Sequence, residues 1–336
     1  MEKILTVVVP SYNAEAYLQE DIPTFLDERI LKDLEILIVN DGSKDGTSET
    51  GRKFQQSYPE TVRVIDKENG GHGSTINAGI REASGKYFKV VDADDWVDTE
   101  SLVQLVQYLK DYDSDLVLSP FYYVNDGTRE KEKGLPLKEE EWKQIRAGEN
   151  IPAEGLLSRM QDTLQMHCVT FRTEILKAHG ITLDENRFYV DQEYILYPVP
   201  FLQTVSFFPE FVYQYRIATE GQSMNWKNMI KNRNMHGEVL LSLIHYYEGQ
   251  KAQLSEAQKA FFIYRCAKML NTQASIYLMM EHCGEAKKEM KKFEEGIRRN
   301  YPEIYQYPYS RKIVLLRKMG YVGFRWISAY AKKVNR

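Results

Sequence analysis

Along the first 120 residues, short runs of β-branched and aliphatic residues alternate with stretches whose apolar positions recur at helical spacing. Leu5–Val9, Glu35–Val39, Val62–Ile65, Tyr87–Val91 and Leu116–Ser119 read as strands, and Ala14–Asp27, Thr47–Tyr58, Ser74–Ala83 and Ser101–Lys110 as helices. Near-continuous apolar runs mark strands buried on both faces. The alternation therefore predicts an α/β fold, a mostly parallel sheet with helices on each side. Ligands of such sheets bind beyond the carboxyl ends of the strands, where strand order reverses. The residues just after each run are the ones to inspect.

From Phe121 to about Gly148 the pattern breaks into a charged segment with turn residues Gly127, Gly134 and Pro136, which predicts a loop region. Helix-like and strand-like pieces mix between Ile151 and Ile217. They end in the aromatic runs Val205–Phe208 and Phe211–Tyr215, expected to complete the same sheet. After Trp226 the period is almost wholly helical, punctuated by Gly249, Gly284 and Pro302. The expected organisation is one α/β domain over residues 1–225 and a helical region over 226–336.

Composition narrows the class. With 43% hydrophobic and 27% charged residues the chain is of globular type, and a net charge of −4 argues against nucleic acid as the main partner. The stretch 310–336 is the exception, carrying Arg311, Lys312, Arg317, Lys318, Arg325, Lys332, Lys333 and Arg336 with no acid. Its apolar residues Ile313, Leu316, Phe324, Trp326, Ile327 and Tyr330 fall near helical spacing. That pattern fits a helix lying on a membrane surface, and also a helix docked on its own domain with a solvated basic face, which is the commoner arrangement. Cys168, Cys266 and Cys283 are odd in number and lack metal or redox spacing, so they read as reduced. The apolar run Ile4–Val9 stops at Pro10, far short of a membrane span. A cytoplasmic protein is expected, with the inner membrane face as a peripheral partner through 310–336.

The chemistry sits at the strand ends. After the first run come Pro10, Ser11, Tyr12 and Asn13; after the second come Asn40, Asp41, Gly42 and Ser43, with Asp45 and Thr47 beyond. These residue types build turns and cap helices. They also offer Tyr12 as a flat face for a nucleobase and Asp41 as an acceptor for a base or ribose donor. After the third run, Asn69, Gly70, Gly71, His72 and Gly73 open a helix, and a glycine turn there offers backbone N–H groups to a phosphate. Ile76 stands where a dinucleotide fingerprint needs glycine, and Gly79…Gly85-Lys86 has one residue too many for a P-loop, so neither a nicotinamide cofactor nor ATP hydrolysis is favoured. The strongest feature is Asp92-Ala93-Asp94-Asp95-Trp96, three carboxylates at the end of a buried strand. Their mutual repulsion calls for a cation between them, and oxygen ligands suit a divalent ion.

Taken in order, Val9-Pro10-Ser11-Tyr12-Asn13, Val39-Asn40-Asp41-Gly42-Ser43, Asn69-Gly70-Gly71, Asn77-Ala78-Gly79, Ala83-Ser84-Gly85-Lys86-Tyr87 and Asp92-Ala93-Asp94-Asp95 resemble the inverting glycosyltransferases of family 2, which have the GT-A fold. The resemblance covers residues 4–120. It implies that Pro10, Ser11, Tyr12, Asn13 and Asp41 surround the base and ribose and that Asn69, Gly70, Gly71 and Gly73 lie near the donor. Asp92, Ala93 and Asp94 would hold the ribose and the metal-bound diphosphate, with Asp92 and Asp94 as ligands of Mn2+ or Mg2+. Phe188-Tyr189-Val190-Asp191-Gln192-Glu193 resembles the family's acidic motif, making Asp191 the catalytic base, with Glu193 as fallback. Arg216, in Tyr213-Gln214-Tyr215-Arg216 ahead of Gly221-Gln222-Ser223-Met224, becomes a phosphate contact. Asn40, Ile76 and Val190 depart from the usual motif residues. Phe324-Arg325-Trp326 resembles part of the processive synthases' motif, but Val322 occupies its Gln position.

The resemblance further implies a nucleotide-sugar-binding half over 1–120 and an acceptor half over 121–225. One sugar would pass from a nucleoside-diphosphate sugar, UDP favoured, to a glycan or lipid-linked acceptor in cell-surface polysaccharide or glycoconjugate synthesis. A nucleotidyltransferase would need a basic triphosphate loop near the first strand, which Pro10-Ser11-Tyr12-Asn13 does not supply. A non-catalytic nucleotide-sugar or glycan-binding protein remains the other alternative.

Overall fold

The computed structural model describes residues 3–218 and 225–334, which form two compact units, Met1–Thr219 and Glu220–Arg336. The first unit contains, in chain order, strands β1 (Leu5–Ser11), β2 (Leu34–Asp41), β3 (Val62–Lys67), β4 (Tyr87–Val90), β5 (Trp96–Val97), β6 (Leu116–Leu118), β7 (Phe121–Asn125), β8 (Lys131–Gly134), β9 (Ile151–Pro152), β10 (Val169–Arg172), β11 (Thr204–Phe207) and β12 (Tyr213–Ile217). Eight of them make the main sheet in the order β3-β2-β1-β4-β10-β6-β11-β9. β1 runs parallel to both β2 and β4, and β2 to β3. β10 is antiparallel to β4 and β6, β11 is parallel to β6, and β9 closes the edge antiparallel to β11.

Every residue of β1, β2, β4 and β6 is buried, which is why these strands read as uninterrupted apolar runs. The chain adds β2 and β3 on one side of β1 and β4 on the other. The strand order therefore reverses at β1, and the turns after Ser11 and Val90 open side by side at one end of the sheet.

Flanking helices span Glu15–Asp21, Thr47–Ser57, Gly71–Glu82 and Thr99–Asp111. Asp98 caps the last by accepting the Ser101 N–H at 2.9 Å. The helix expected over Ala14–Asp27 gives way at Ile22 to a 3-10 turn containing Pro23, whose ring leaves no N–H to donate to the α-helical ladder. The helix expected from Ser74 starts three residues sooner, at Gly71.

Two expectations are corrected. The charged segment after Phe121 is not a loop throughout: β7 and β8 form an antiparallel hairpin, Phe121 opposite Gly134. Its lysines had disguised it, since Lys131 lies over the Tyr122 ring at 5.0 Å and Lys133 over Phe211 at 5.8 Å, laying their stems on aromatic surface. Nor does the last aromatic run join the main sheet. β12 pairs with β5 and β7 in a separate four-stranded sheet ordered β5-β12-β7-β8.

The second unit consists, among its described residues, of helices Trp226–Lys231, Arg233–Gln250, Glu256–Met279, Cys283–Asn300, Pro302–Gln306, Arg311–Lys318 and Phe324–Val334. A capping box between Ser255 and Gln258 starts the longest of them. Ala286, Met290, Ile313, Leu316 and Phe324 pack together in its core. No helix among the described residues is long and apolar enough to cross a membrane.

Candidate active site

The turns after β1 and β2 lock together. The Asn13 N–H donates to Ser43 Oγ (2.9 Å), Asn13 Oδ1 accepts the Lys44 N–H (2.9 Å), and Thr47 Oγ1 accepts the Ala14 N–H (2.8 Å). Asn13 takes a left-handed backbone conformation, φ 49°, which asparagine tolerates better than most residues. Pro10 and Ser11 are buried within the strand, while Tyr12 stands 52% exposed at the strand end. Thr47 is therefore a clasp between turns; Gly46, not Thr47, occupies the helix cap position.

The glycine turn is organised by Asp41. Its Oδ1 accepts the Gly70 N–H (2.9 Å) and the Lys67 ammonium (2.8 Å), and its Oδ2 accepts the Gly71 N–H (2.8 Å). Asn69 Nδ2 donates to the Asp41 carbonyl at 2.9 Å. These amides, expected to face a phosphate, are turned inward to a carboxylate instead, and Asp41, expected to meet a base or ribose, is 3% exposed. A buried carboxylate needs such donors, and the two glycine N–H groups are among the nearest.

The strap that carries Asp191 is fastened onto the helix that follows. Asn77 bonds both backbone groups of Leu183, at 2.9 and 2.8 Å, and the Gly70 carbonyl accepts the Asn186 N–H at 2.5 Å. Gly73 allows this closeness: a Cβ there would come within 2.1 Å of the Asp184 carbonyl oxygen. Asn186 and Tyr189 adopt φ of 56° and 70°, conformations that cost energy in residues with side chains and persist where the surroundings impose them. The strap delivers Asp191 as the first residue of the helix Asp191–Leu196, half-buried, with Gln192 Nε2 donating to its Oδ2 at 2.7 Å. Glu193, two residues further on, is fully buried and accepts the Asp184 N–H at 2.7 Å. It is therefore not the fallback base.

Beyond β4, His72 Nε2 lies 2.8 Å from Asp92 Oδ1. Burial opposes charge on both, and the pairing outweighs it: Asp92 is held below the usual carboxylate range and His72 is raised, with Asp191 and Asp94 adding to the pull on His72. Asp94 is raised by burial and then by Asp92. Asp95 turns inward, accepting the Tyr213 hydroxyl at 2.5 Å and the Arg216 N–H at 2.7 Å, which ties the acidic loop to β12. Thus Asp92, Asp94 and Asp191 all act on His72 at the carboxyl end of the sheet. His72 was missed as a site residue; its signal was an imidazole inside a glycine turn directly after a strand. His167, stacked on Tyr215 at a centroid distance of 4.2 Å and close enough to help lower the Asp92 pKa, had no signal of its own.

Arg216, expected as a phosphate contact, lies in a buried network of partners. It is 4% exposed, its Nε donates to the Asp94 carbonyl (2.6 Å), and its guanidinium bonds Asp126 (2.8 Å) and Asp21 (3.2 Å) while lying 4.7 Å from the Trp96 ring centre. Its planar fork is used to brace the acidic loop from behind. Gly221-Gln222-Ser223-Met224 lie outside the described residues.

Among the described residues no three His, Cys, Asp or Glu side chains form a complete protein cage for a metal. Asp92 and Asp94 nonetheless fit Mn2+ or Mg2+. Such ions bind through one or two carboxylates with the substrate's phosphates completing the shell, and Asp92 and Asp94 are two carboxylates, two positions apart, in the turn that follows β4.

A sheet whose strand order reverses beneath a carboxylate cluster fits the GT-A fold, with its ligand site at the reversal point. The profile described as Glycosyl transferase family 2 matches residues 6–174, so the chain belongs to that family and is a glycosyltransferase. It is 32% identical over 122 residues to glycosyltransferase GlyA of Streptococcus pneumoniae, covering 36% of this chain and 17% of that protein. It is 26% identical over 223 residues to the poly(ribitol-phosphate) β-N-acetylglucosaminyltransferase TarS of Staphylococcus aureus, covering 66% and 36%. The chain thus spans well under half the length of either relative. In structure, TarS 1–349 in complex with UDP superimposes with a TM-score of 0.67 at 18% identity, over 99% of this chain and 92% of that one. Mannosyltransferase PcManGT from Pyrobaculum calidifontis, in complex with GDP-Man and Mn2+, gives 0.51 at 15% identity, over 100% and 88%. Both likenesses show the shared fold.

Proposed function

We propose that the chain transfers one sugar at a time from a nucleoside-diphosphate sugar, with UDP-sugars favoured, to a hydroxyl of a glycan or lipid-linked acceptor in cell-surface polymer synthesis, with inversion at the anomeric carbon. The observation that carries this reading is the meeting of Asp92, Asp94 and Asp191 around His72 at the reversal point of the sheet. The teichoic-acid vocabulary of the relatives and the UDP and UDP-GlcNAc complexes of TarS support the donor and acceptor classes.

In this reading residues 1–120 form the donor half and 121–225 the acceptor half of the α/β unit. Tyr12 lies against the base, Asn69 borders the donor, and Asp92 and Ala93 face the ribose. Asp94, with Asp92, is the ligand pair for Mn2+ or Mg2+. His72 fixes the orientation of Asp92, and Asp41 shapes the glycine turn. Asp191 takes the proton of the acceptor hydroxyl as it attacks opposite the leaving diphosphate, a contribution of about 10²–10⁴-fold for a well-placed base. The bound divalent ion supplies charge neutralisation of that diphosphate.

The test is turnover of a panel of UDP- and GDP-sugars with Mn2+ or Mg2+, comparing the native chain with Asp94→Ala and Asp191→Asn. Turnover of one donor, lost in both variants and on chelation, is the expected result. Donor binding without turnover in any acceptor mixture would leave Asp191 without a role and favour a nucleotide-sugar-binding function.

A further inference from the structure

The last two helices present two apolar faces, and only one of them is used within the fold. Helix Arg311–Lys318 ends in a Schellman turn: Gly320, at φ 59°, donates to the Arg317 carbonyl (3.0 Å) and the Tyr321 N–H to Leu316 (2.9 Å). The chain then enters helix Phe324–Val334. Ile313, Leu316 and Phe324 face the core of the helical unit, and Ser328 Oγ and Lys332 Nζ pin the last helix to the Leu278 and Met280 carbonyls, each at 2.6 Å. On these two helices and the turn between them Leu315, Met319, Val322, Trp326 and Tyr330 form an exposed apolar stripe, Val322 at 76% and Trp326 at 83%. Lys312, whose ammonium lies 4.3 Å from the Tyr330 ring centre, and Arg325 and Lys333 border this stripe; no acidic residue occurs from 310 onward.

A second observation adjoins it. A cavity of about 630 Å³ in the same unit is lined by Lys291, Arg298, Arg299 and Arg317, and its wall includes Gly320 and Tyr321, the turn between Met319 and Val322 of the stripe. Two acids share that wall, Glu294 and Glu295. Glu294 is already spent: it accepts both Arg317 nitrogens, at 2.8 and 3.1 Å, and the Tyr321 hydroxyl. With Arg317 and Glu294 paired, Lys291, Arg298 and Arg299 against Glu295 leave the wall net positive.

We propose that this end of the helical unit docks on an anionic membrane surface. The stripe enters the headgroup–acyl boundary, where tryptophan and tyrosine partition well, and the cavity beside it takes a lipid phosphate headgroup. Charge selects this occupant over a second copy of the chain, because self-pairing of the stripe would set its all-cationic border against itself. The inference concerns where the enzyme sits and does not depend on the transfer reaction.

The full-length chain is sedimented with phosphatidylcholine vesicles, with and without phosphatidylglycerol. Binding is expected with the anionic vesicles, weakening as salt rises. Val322→Ser with Trp326→Ser, and separately Arg298→Ser with Arg299→Ser, should each lower it on the order of tenfold, while Asp191→Asn binds like the native chain. Saturable calorimetric binding of glycerol phosphate that Arg298→Ser with Arg299→Ser abolishes, with vesicle binding intact at saturating glycerol phosphate, would assign the cavity to a soluble phosphate and overturn the headgroup role. Binding indifferent to both pairs would overturn the docking surface. So would a native dimer, by light scattering, that Trp326→Ser dissociates without any vesicle binding.

Discussion

Asn77 holds Leu183 by both of its backbone groups, its Nδ2 donating to the carbonyl at 2.9 Å and its Oδ1 accepting the N–H at 2.8 Å. All of these atoms are buried, so removing the amide strands a donor and an acceptor, at about 1–3 kcal/mol each. Asn77→Ala is therefore expected to destabilise the α/β unit by about 2–4 kcal/mol. Because the strap from Leu183 leads to Asp191, turnover should fall further than donor affinity. Urea unfolding, donor titration and initial rates on the same preparation check this. Lost stability with unchanged turnover would mean that the strap does not position Asp191.

Arg216 gives a stability prediction where the sequence pattern suggested an affinity one. Its guanidinium pairs with Asp21, which burial raises to about 7 although Arg216 draws it down. Removing the guanidinium leaves Asp21 without it in the interior, commonly at about 3–5 kcal/mol, whereas removing the Asp21 charge leaves Arg216 its bonds to Asp126 and the Asp94 carbonyl and costs less. Arg216→Lys and Asp21→Asn should each destabilise the fold, and the double variant should cost less than their sum. A double-mutant cycle by chemical denaturation measures that coupling. A pure phosphate contact would instead raise the donor Kd and leave Asp21→Asn silent.

Burial pushes the Glu193 carboxyl up to about 8, against the lowering effect of the Asp184 amide. The folded chain then holds this proton more tightly than the unfolded chain between pH 4.5, the ordinary glutamate value, and about 8. The contribution to stability is full below 4.5, declines as pH rises through that window and is flat above it. Glu193→Gln is expected to remove this slope and to be the more stable form at pH 8, by about 2–4 kcal/mol. Unfolding free energies from pH 5 to 9 read it out, and parallel curves for the two chains would refute it.

Much of the fold was legible because β1, β2, β4 and β6 are buried throughout and stand out as apolar runs, and because turns with functional side chains follow β1, β2 and β4. The acidic loop was visible for the same reason, a dense set of carboxylates where a buried strand stops. What escaped detection depended on partners far along the chain. Arg216 and Asp21 are 195 positions apart, and the Gly70 and Gly71 amides meet a carboxylate 29 and 30 positions away. No local pattern says that an arginine faces inward or that a glycine turn is already satisfied. β12 had the right strand character, but pairing is a property of two segments. β8 was hidden by lysines whose stems lie on aromatic rings, a use of charge that composition reads as loop.

Asp41 separates the two uses of its motif most directly. With Lys67 and the Gly70 and Gly71 amides bonded to its oxygens, the carboxylate acts as the keystone of the turn on which His72 and the start of the helix rest. Asp41→Asn keeps the size but loses the negative charge and places an N–H₂ against groups that are themselves donors. Hydrogen bonds to a charged acceptor contribute about 1.5–3 kcal/mol each, and only part of this set survives. A loss of about 2–4 kcal/mol in unfolding free energy is expected, with donor affinity and turnover falling together as the turn shifts. Calorimetric titration of UDP against urea unfolding distinguishes the outcomes. If Asp41→Asn leaves stability within about 0.5 kcal/mol of the native chain and weakens UDP alone, Asp41 reads the nucleotide and the turn stands without it.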